Sequence, residues 1–354
     1  MRVYPLTGIN ITKPYNILFK IDRMPDGYGI PDYVTICPVE SLESELKSDH
    51  HAIIIKSQYP NTKTYAITTS HLKSIGDVYN IRIALSIIYT AHILYMSRDR
   101  RDVEQQIYTI NPFYCDCRIG TQHYNENDFS FNVPYYDLDP DDHYSQKSTY
   151  IESDLIIEEL DEEYSFKSLS DDSFKIIEEN IKKKQAPFGT FKESLQAVNS
   201  LIDTKHPLRD KFMAAFNFMY YTIPHTDLTL TTIIYSSILE TLLLKNRENS
   251  KKVSVAFRTA CLVEFFSPIE DKQSLATIIA KMYELRSNVV HNGEFVFEID
   301  NNNLFLFNSI RSAIILLIKR FITLNINSHE DIQAIVKGNL IQDGLNTGTQ
   351  YLKN

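Results

Sequence analysis

The sequence predicts an α+β protein, with a strand-rich N-terminal domain over residues 1–198 followed by an all-α helical bundle over residues 199–354. Three observations predict it. Residues 1–78 carry short β-branched and aromatic runs broken by turn residues. From about residue 205 onward, apolar residues recur near a 3.6 period in runs of helical length. The charge balance also changes along the chain. Residues 201–354 hold 16 Lys/Arg against 15 Asp/Glu, whereas residues 1–200 hold 20 against 30, as expected of two modules.

The strands expected first are Asn16–Ile21, Tyr33–Val39, Ala52–Lys56 and Thr64–Thr69, separated by turn signals such as Pro25-Asp26-Gly27 and Pro60-Asn61. The apolar run Ile81–Met96 has the length of a buried helix. Phe113–Cys117 and Phe129–Tyr136 read as further strands. Residues 137–163 are strongly acidic and read as a solvated connector, as like-charge runs do, with a divalent-cation site or a mimic of nucleic-acid charge as the alternatives. Phe174–Lys184 and Phe191–Ile202 read as short amphipathic helices. Six helices are then expected, at Leu208–Tyr221, Leu228–Lys245, Val253–Phe266, Leu275–Val290, Leu304–Leu324 and Asp331–Leu340. Pro224, Asn246–Ser250, Pro268, Gly293 and Asn325–Ser328 interrupt them, which gives a bundle with short connections.

The 354 residues suffice for two cores, and the net charge of −9 argues against non-specific coating of nucleic acid. Cys37, Cys115, Cys117 and Cys261 are too scattered for a disulfide scaffold. The start, Met1-Arg2-Val3-Tyr4-Pro5, lacks the apolar stretch of a secretory signal. Charged residues interrupt both long apolar runs, so a cytoplasmic protein without a membrane span is expected.

The chemistry-bearing stretch is Lys281-Met282-Tyr283-Glu284-Leu285-Arg286-Ser287-Asn288-Val289-Val290-His291-Asn292-Gly293. Arg286 offers a planar fork of donors that suits a phosphate, and its charge is permanent. His291 belongs to the residue type that titrates near neutral pH and moves protons. Spacing alone is weak, because about 0.4 such Arg–His pairs are expected by chance in this composition. A second pair, Arg118 and His123, falls in a stretch that reads as a loop around Gly120. On a regular helix, residues five apart lie about 140° around the axis. Arg286 and His291 can therefore share a target only if the helix end departs from regularity before Gly293, a natural C-terminal stop.

Three segments together resemble the HEPN superfamily, and its Apea-like branch of bacterial anti-phage defence proteins. They are Ile238-Leu239-Glu240-Thr241-Leu242-Leu243, Val255-Ala256-Phe257-Arg258-Thr259-Ala260-Cys261-Leu262, and the Arg286–His291 stretch with its following glycine. The resemblance covers about the last 150 residues. It implies a HEPN helical bundle acting as a metal-independent endoribonuclease that needs no cofactor. Its catalytic residues would be Arg286 and His291, supported by Ser287, Asn288, Glu240 and Arg258. It further implies an RNA substrate, a homodimer through the C-terminal helical domain, and an antiviral toxin acting by abortive infection. Residues 1–198 would answer a phage-derived or nucleic-acid trigger. The alternative is a catalytically inactive HEPN module that binds nucleotide, RNA or a protein partner. On that alternative Arg286 pairs with Glu240 or Glu284 and His291 caps carbonyls at its helix end. Glu240 and Arg258 are expected to form a structural ion pair with each other.

Other candidates are weaker. Cys115-Asp116-Cys117 with His123 supplies soft ligands but no fourth at zinc-like spacing. Asp49-His50-His51 reads as a polar turn. No phosphate-binding loop, dinucleotide turn, nucleophile elbow or HExxH sequence occurs.

Overall fold

The computed structural model describes residues 2–7, 9, 11, 13–20, 31–47, 49–68, 74–97, 103, 118–119, 124–125, 188–222, 228–245, 248, 251–264, 267–293 and 301–352. The expected acidic connector at 137–163, the strands Phe113–Cys117 and Phe129–Tyr136, and the helix Phe174–Lys184 lie outside these residues.

Strands β1 (Arg2–Thr7), β2 (Tyr15–Lys20), β3 (Pro31–Pro38) and β4 (Thr64–Thr68) form an antiparallel sheet in the order β2-β3-β4-β1. The two-residue strands β5 (Arg118–Ile119) and β6 (Tyr124–Asn125) extend it beyond β1. Side chains alternate faces along a strand, and here both faces are covered. Val3, Cys37, Tyr65 and Ile67 meet Leu42 and Leu46 of α1 (Leu42–Leu46) and Ala52 and Ile55 of α2 (Asp49–Gln58). Tyr4, Leu6, Ile17, Phe19, Val34, Ile36 and Ala66 face the opposite way, into the larger core.

Residues Ala52–Lys56 are helical, which corrects the expected strand. Ala52 and Ile55 are buried while Ile53 is 59% exposed, a three-residue spacing that fits a helix packed on one side. The β-branched run Ile53-Ile54-Ile55 gave the misleading signal.

Helix α3 (Ser74–Met96) lies at the centre of the larger core, with Ile81, Ile83, Ala84, Leu85, Ile87, Ile88, Ala91, Ile93 and Leu94 all buried. Each buried Ile or Leu among them contributes about 1.5–3 kcal/mol of transfer free energy. Asp77 in the first turn of α3 is buried and accepts hydrogen bonds from Arg2 Nη1 at 2.6 Å and Tyr4 Oη at 2.9 Å, tying β1 to this helix. A carboxylate also suits a helix N-terminus.

The remaining helices are α4 (Phe191–Ser200), α5 (Arg209–Tyr220), α6 (Leu228–Leu243), α7 (Lys251–Val263), α8 (Ile269–Ser287), α9 (Asn301–Thr323) and α10 (His329–Gln342). The architecture is therefore α+β and mostly helical. One continuous apolar core runs from the sheet through α3 into this bundle, because α3 packs on α4, α5 and α9. The buried Arg311 of α9 fastens the junction, with Nε donating to Tyr235 Oη of α6 at 2.9 Å and its guanidinium to the Thr222 carbonyl. A final 3₁₀ turn, Gly348–Leu352, seals the end of the bundle. There Asp343 accepts from Lys272 Nζ at 2.8 Å and from Tyr351 Oη at 2.6 Å, and Lys272 is wholly buried. Among the described residues, no helix is long and apolar enough to cross a membrane.

Candidate functional site

Helix α8 presents Leu275, Ala276, Ile279, Ala280, Met282 and Tyr283 to the core at three- and four-residue spacings. Pro268 precedes it, and Glu270 and Asp271 stabilise its first turn against the helix dipole. The apolar pattern breaks after Leu285, so the last turn of α8 emerges from the bundle. Arg286 is partly exposed, and Ser287, Asn288, Val290 and His291 are exposed.

The helix end is irregular. Residues Asn288–Asn292 form a π-helical turn, which Gly293 terminates in the left-handed conformation at φ 68°. The Gly293 amide donates to the Asn288 carbonyl. A glycine is needed here for its backbone angle and not for space, because nothing lies within 4 Å of where a Cβ would stand. A π turn closes i→i+5 hydrogen bonds and puts more residues into each turn than the α-helix does. Residues five apart thereby draw toward one face, which reduces the 140° offset expected for a regular helix.

Arg286 is held loosely. Its Nη2 lies 4.0 Å from Glu240 Oε1 on α6, and its Nε is buried without a hydrogen-bond partner. Glu240 has firmer ties elsewhere, accepting from Lys251 Nζ at 2.8 Å and from Tyr283 Oη at 3.3 Å. Burial and the neighbouring Glu240 carboxylate push the Tyr283 hydroxyl well up, so it remains a neutral donor. Arg286 is thus a cation beside a carboxylate that Lys251 and Tyr283 already engage. Lys252 and Glu284 form a separate exposed pair at 2.6 Å.

The structure unites Glu240 with Arg286 but separates Arg258 from both. Arg258 is only 7% exposed and grips Glu248 with two contacts, at 2.9 and 2.5 Å. Its Nη1 also donates to the Leu243 carbonyl at 2.9 Å, capping the end of α6. The expected Glu240–Arg258 pair is therefore replaced by Glu240–Lys251 and Arg258–Glu248. Tyr283 is not marked by the motif itself, although its position three residues before Arg286 places it on a neighbouring helix face. Nothing in the sequence singled out Lys251.

No family model, no curated protein and no solved structure matches the chain. The site therefore rests on its own geometry.

Arg118 lies in strand β5 and not in a loop, while Cys115, Cys117 and His123 are outside the described residues. His50 and His51 belong to α2. Among the described residues, no group of three His, Cys, Asp or Glu side chains is arranged to hold a metal ion.

Proposed function

We propose that the chain is a metal-independent endoribonuclease of HEPN type that cleaves RNA through its own 2′-hydroxyl. The observation that carries this reading is the π-helical end of α8, which presents exposed His291 five residues after the loosely paired Arg286. His291 acts as general base on the 2′-hydroxyl, or as the acid that protonates the departing 5′-oxygen. The 2′-oxygen attacks phosphorus, the bond to the 5′-oxygen breaks, and the products are a 2′,3′-cyclic phosphate and a 5′-hydroxyl. Arg286 binds the phosphate and stabilises the charge that grows on its oxygens. Ser287 and Asn288, exposed on the same turn, orient the phosphate or fix the histidine tautomer. Glu240 steers Arg286, and its attachments to Lys251 and Tyr283 keep it from claiming the guanidinium outright.

A homodimer related by a two-fold axis brings two such helix ends to one phosphodiester. The biological role in this reading is abortive infection, in which a cytoplasmic nuclease released by a phage-derived or nucleic-acid trigger halts growth. The test is incubation of the purified chain with total RNA in EDTA, with the product ends mapped. Cyclic-phosphate ends that vanish in Arg286→Ala and His291→Ala bear the proposal out. The nearness of Glu240 to Arg286 favours a second reading, a non-catalytic module that binds RNA, nucleotide or protein, and intact RNA in that assay selects it.

A further inference from the structure

Away from Arg286, four basic side chains converge where α6 ends and α10 begins. Arg258 on α7 and Lys211 on α5 bond the last carbonyls of α6, with Lys211 Nζ donating to the Leu244 carbonyl at 2.8 Å. Lys245, which follows α6, reaches Glu330 on α10 at 2.6 Å. His329, the first residue of α10, completes the group. It is only 7% exposed, and neither ring nitrogen has a hydrogen-bond partner. An imidazole buried without partners is costly and points to a missing one. Helix α10 adds the partial positive charge of its N-terminus, although a capping box already closes it, with Ser328 Oγ accepting from the Asp331 amide and Asp331 Oδ2 accepting from the Ser328 amide.

One carboxylate sits among these groups. Glu248 accepts from both terminal nitrogens of Arg258 and from the Lys245 amide. Burial opposes its ionisation, but those hydrogen bonds and the nearby charges outweigh it and hold its carboxyl below the usual range. His329 is pushed down by burial, then by Arg258, with Lys245 and Lys211 acting in the same direction and only Glu248 opposing. Arg258 also lowers Lys211 beyond the effect of burial. Like charges are thus pressed together. Lys211, Lys245 and Arg258 outnumber Glu248 and Glu330, so one positive charge is left over.

We propose that Lys211, Lys245, Arg258 and His329 form a binding site for a phosphate group, and that Glu248 is the internal carboxylate occupying it in the unliganded chain. A free or terminal phosphate carries more charge and more acceptor oxygens than Glu248, and a backbone phosphodiester matches its charge and its two oxygens. It would take the Arg258 fork, answer the Lys211 and Lys245 charges, and accept from the unpartnered His329 ring. The site uses neither Arg286 nor His291, so it stands or falls independently of the nuclease reading. The phosphate comes either from an RNA backbone or from a free phosphate compound.

The test is calorimetric titration of the full chain with inorganic phosphate. Saturable binding is expected. Glu248→Gln keeps the hydrogen-bonding shape, removes the competing charge, and should tighten binding about tenfold. His329→Phe fills the same space without a donor and should weaken it about tenfold. A structural role for Glu248 alone would lower stability in Glu248→Gln without any gain in affinity. Should Glu248→Gln fail to fold, Lys245→Gln replaces it, since Lys245 is half exposed, and should weaken binding. Competition by a 2′-O-methyl RNA oligonucleotide, which cannot cleave itself, assigns the site to backbone phosphates. Phosphate binding without such competition assigns it to a small phosphate compound. Absence of saturable binding overturns the proposal, as does affinity unchanged by both Glu248→Gln and His329→Phe.

Discussion

Removing either proposed catalytic side chain should separate activity from stability, because both stand at a helix end that has left the core. His291 is exposed, so His291→Ala should change unfolding free energy by no more than about 0.5 kcal/mol. Arg286 forfeits only a 4.0 Å contact with Glu240, worth about 0.2–1 kcal/mol for a pair at the surface. The expected loss of rate is far larger. Loss of a positioned acid or base lowers turnover by roughly 10²–10⁴-fold. Loss of a donor aimed at transition-state charge lowers it by roughly 10²–10³-fold. Arg286→Lys should recover only part of that, since an ammonium keeps the charge but not the planar fork. Cleavage of a labelled RNA in EDTA gives the rates, and urea unfolding of the same preparations gives the stabilities. Lys252→Ala, at an exposed ion pair on neighbouring α7, is the control and should keep full activity. Cleavage by His291→Ala within about threefold of the native chain refutes the assignment, and so does a rate loss matched by unfolding.

Three further outcomes follow from particular contacts. His92, which packs edge-on against the Phe191 ring, is pushed down to about 4 by burial from 6.5. The unfolded chain therefore binds more protons between those values, and His92 should contribute a fall in stability of about 2 kcal/mol from about pH 7.5 to about pH 5, so His92→Leu should lessen the acid loss by that amount in urea unfolding at the two pH values. Gly348→Ala should cost about 1–3 kcal/mol in thermal unfolding, because its Cβ would stand 2.4 Å from the Phe257 ring. Deleting residues 137–163 should raise RNA cleavage or toxicity on expression if that acidic stretch shields Arg286 and His291, and unchanged activity would count against such shielding.

Much of the helical half was legible because its apolar residues keep a 3.6 period between clear breakers. The expected Leu228–Lys245 and Leu304–Leu324 lie close to the observed Leu228–Leu243 and Asn301–Thr323. Helix α8 begins six residues earlier than expected, since its first turns, Ile269-Glu270-Asp271-Lys272-Gln273-Ser274, look polar. Lys272 is nevertheless wholly buried against Asp343, a long-range partner that no local pattern reveals. Strand β1 escaped notice because Pro5 breaks its pattern, yet Pro5 sits opposite Tyr65 of β4. The irregular end of α8 was foreseeable from the five-residue spacing and Gly293. The ion-pair partners were not. Glu240, Lys251, Arg258 and Glu248 are brought into two separate pairs by the way α6, α7 and their connection cross, and sequence spacing does not encode that crossing.

The continuity of the core bears on how any trigger could reach the site. A detachable regulator would share little apolar contact with the helical half, and a trigger would simply lift it away. Here α3 is wrapped by sheet residues on one side and by α4, α5 and α9 on the other. Ser194 of α4 donates to the Ala91 carbonyl inside that contact, and Asp77 anchors β1 to the same helix. Cutting the chain at residue 199 would strip α3 and α4 from α5 and α9 and expose apolar side chains such as Phe212, Phe216 and Ile314. Such a fragment reports on lost packing and says little about released inhibition. A signal sensed in the N-terminal half would act instead on a packed two-state element or on charged segments outside the core, since interiors at crystal-like density do not deform continuously. The loosely held Arg286, with one ion-pair contact at 4.0 Å and an unpartnered Nε, is the part of the site that could be shifted at least cost.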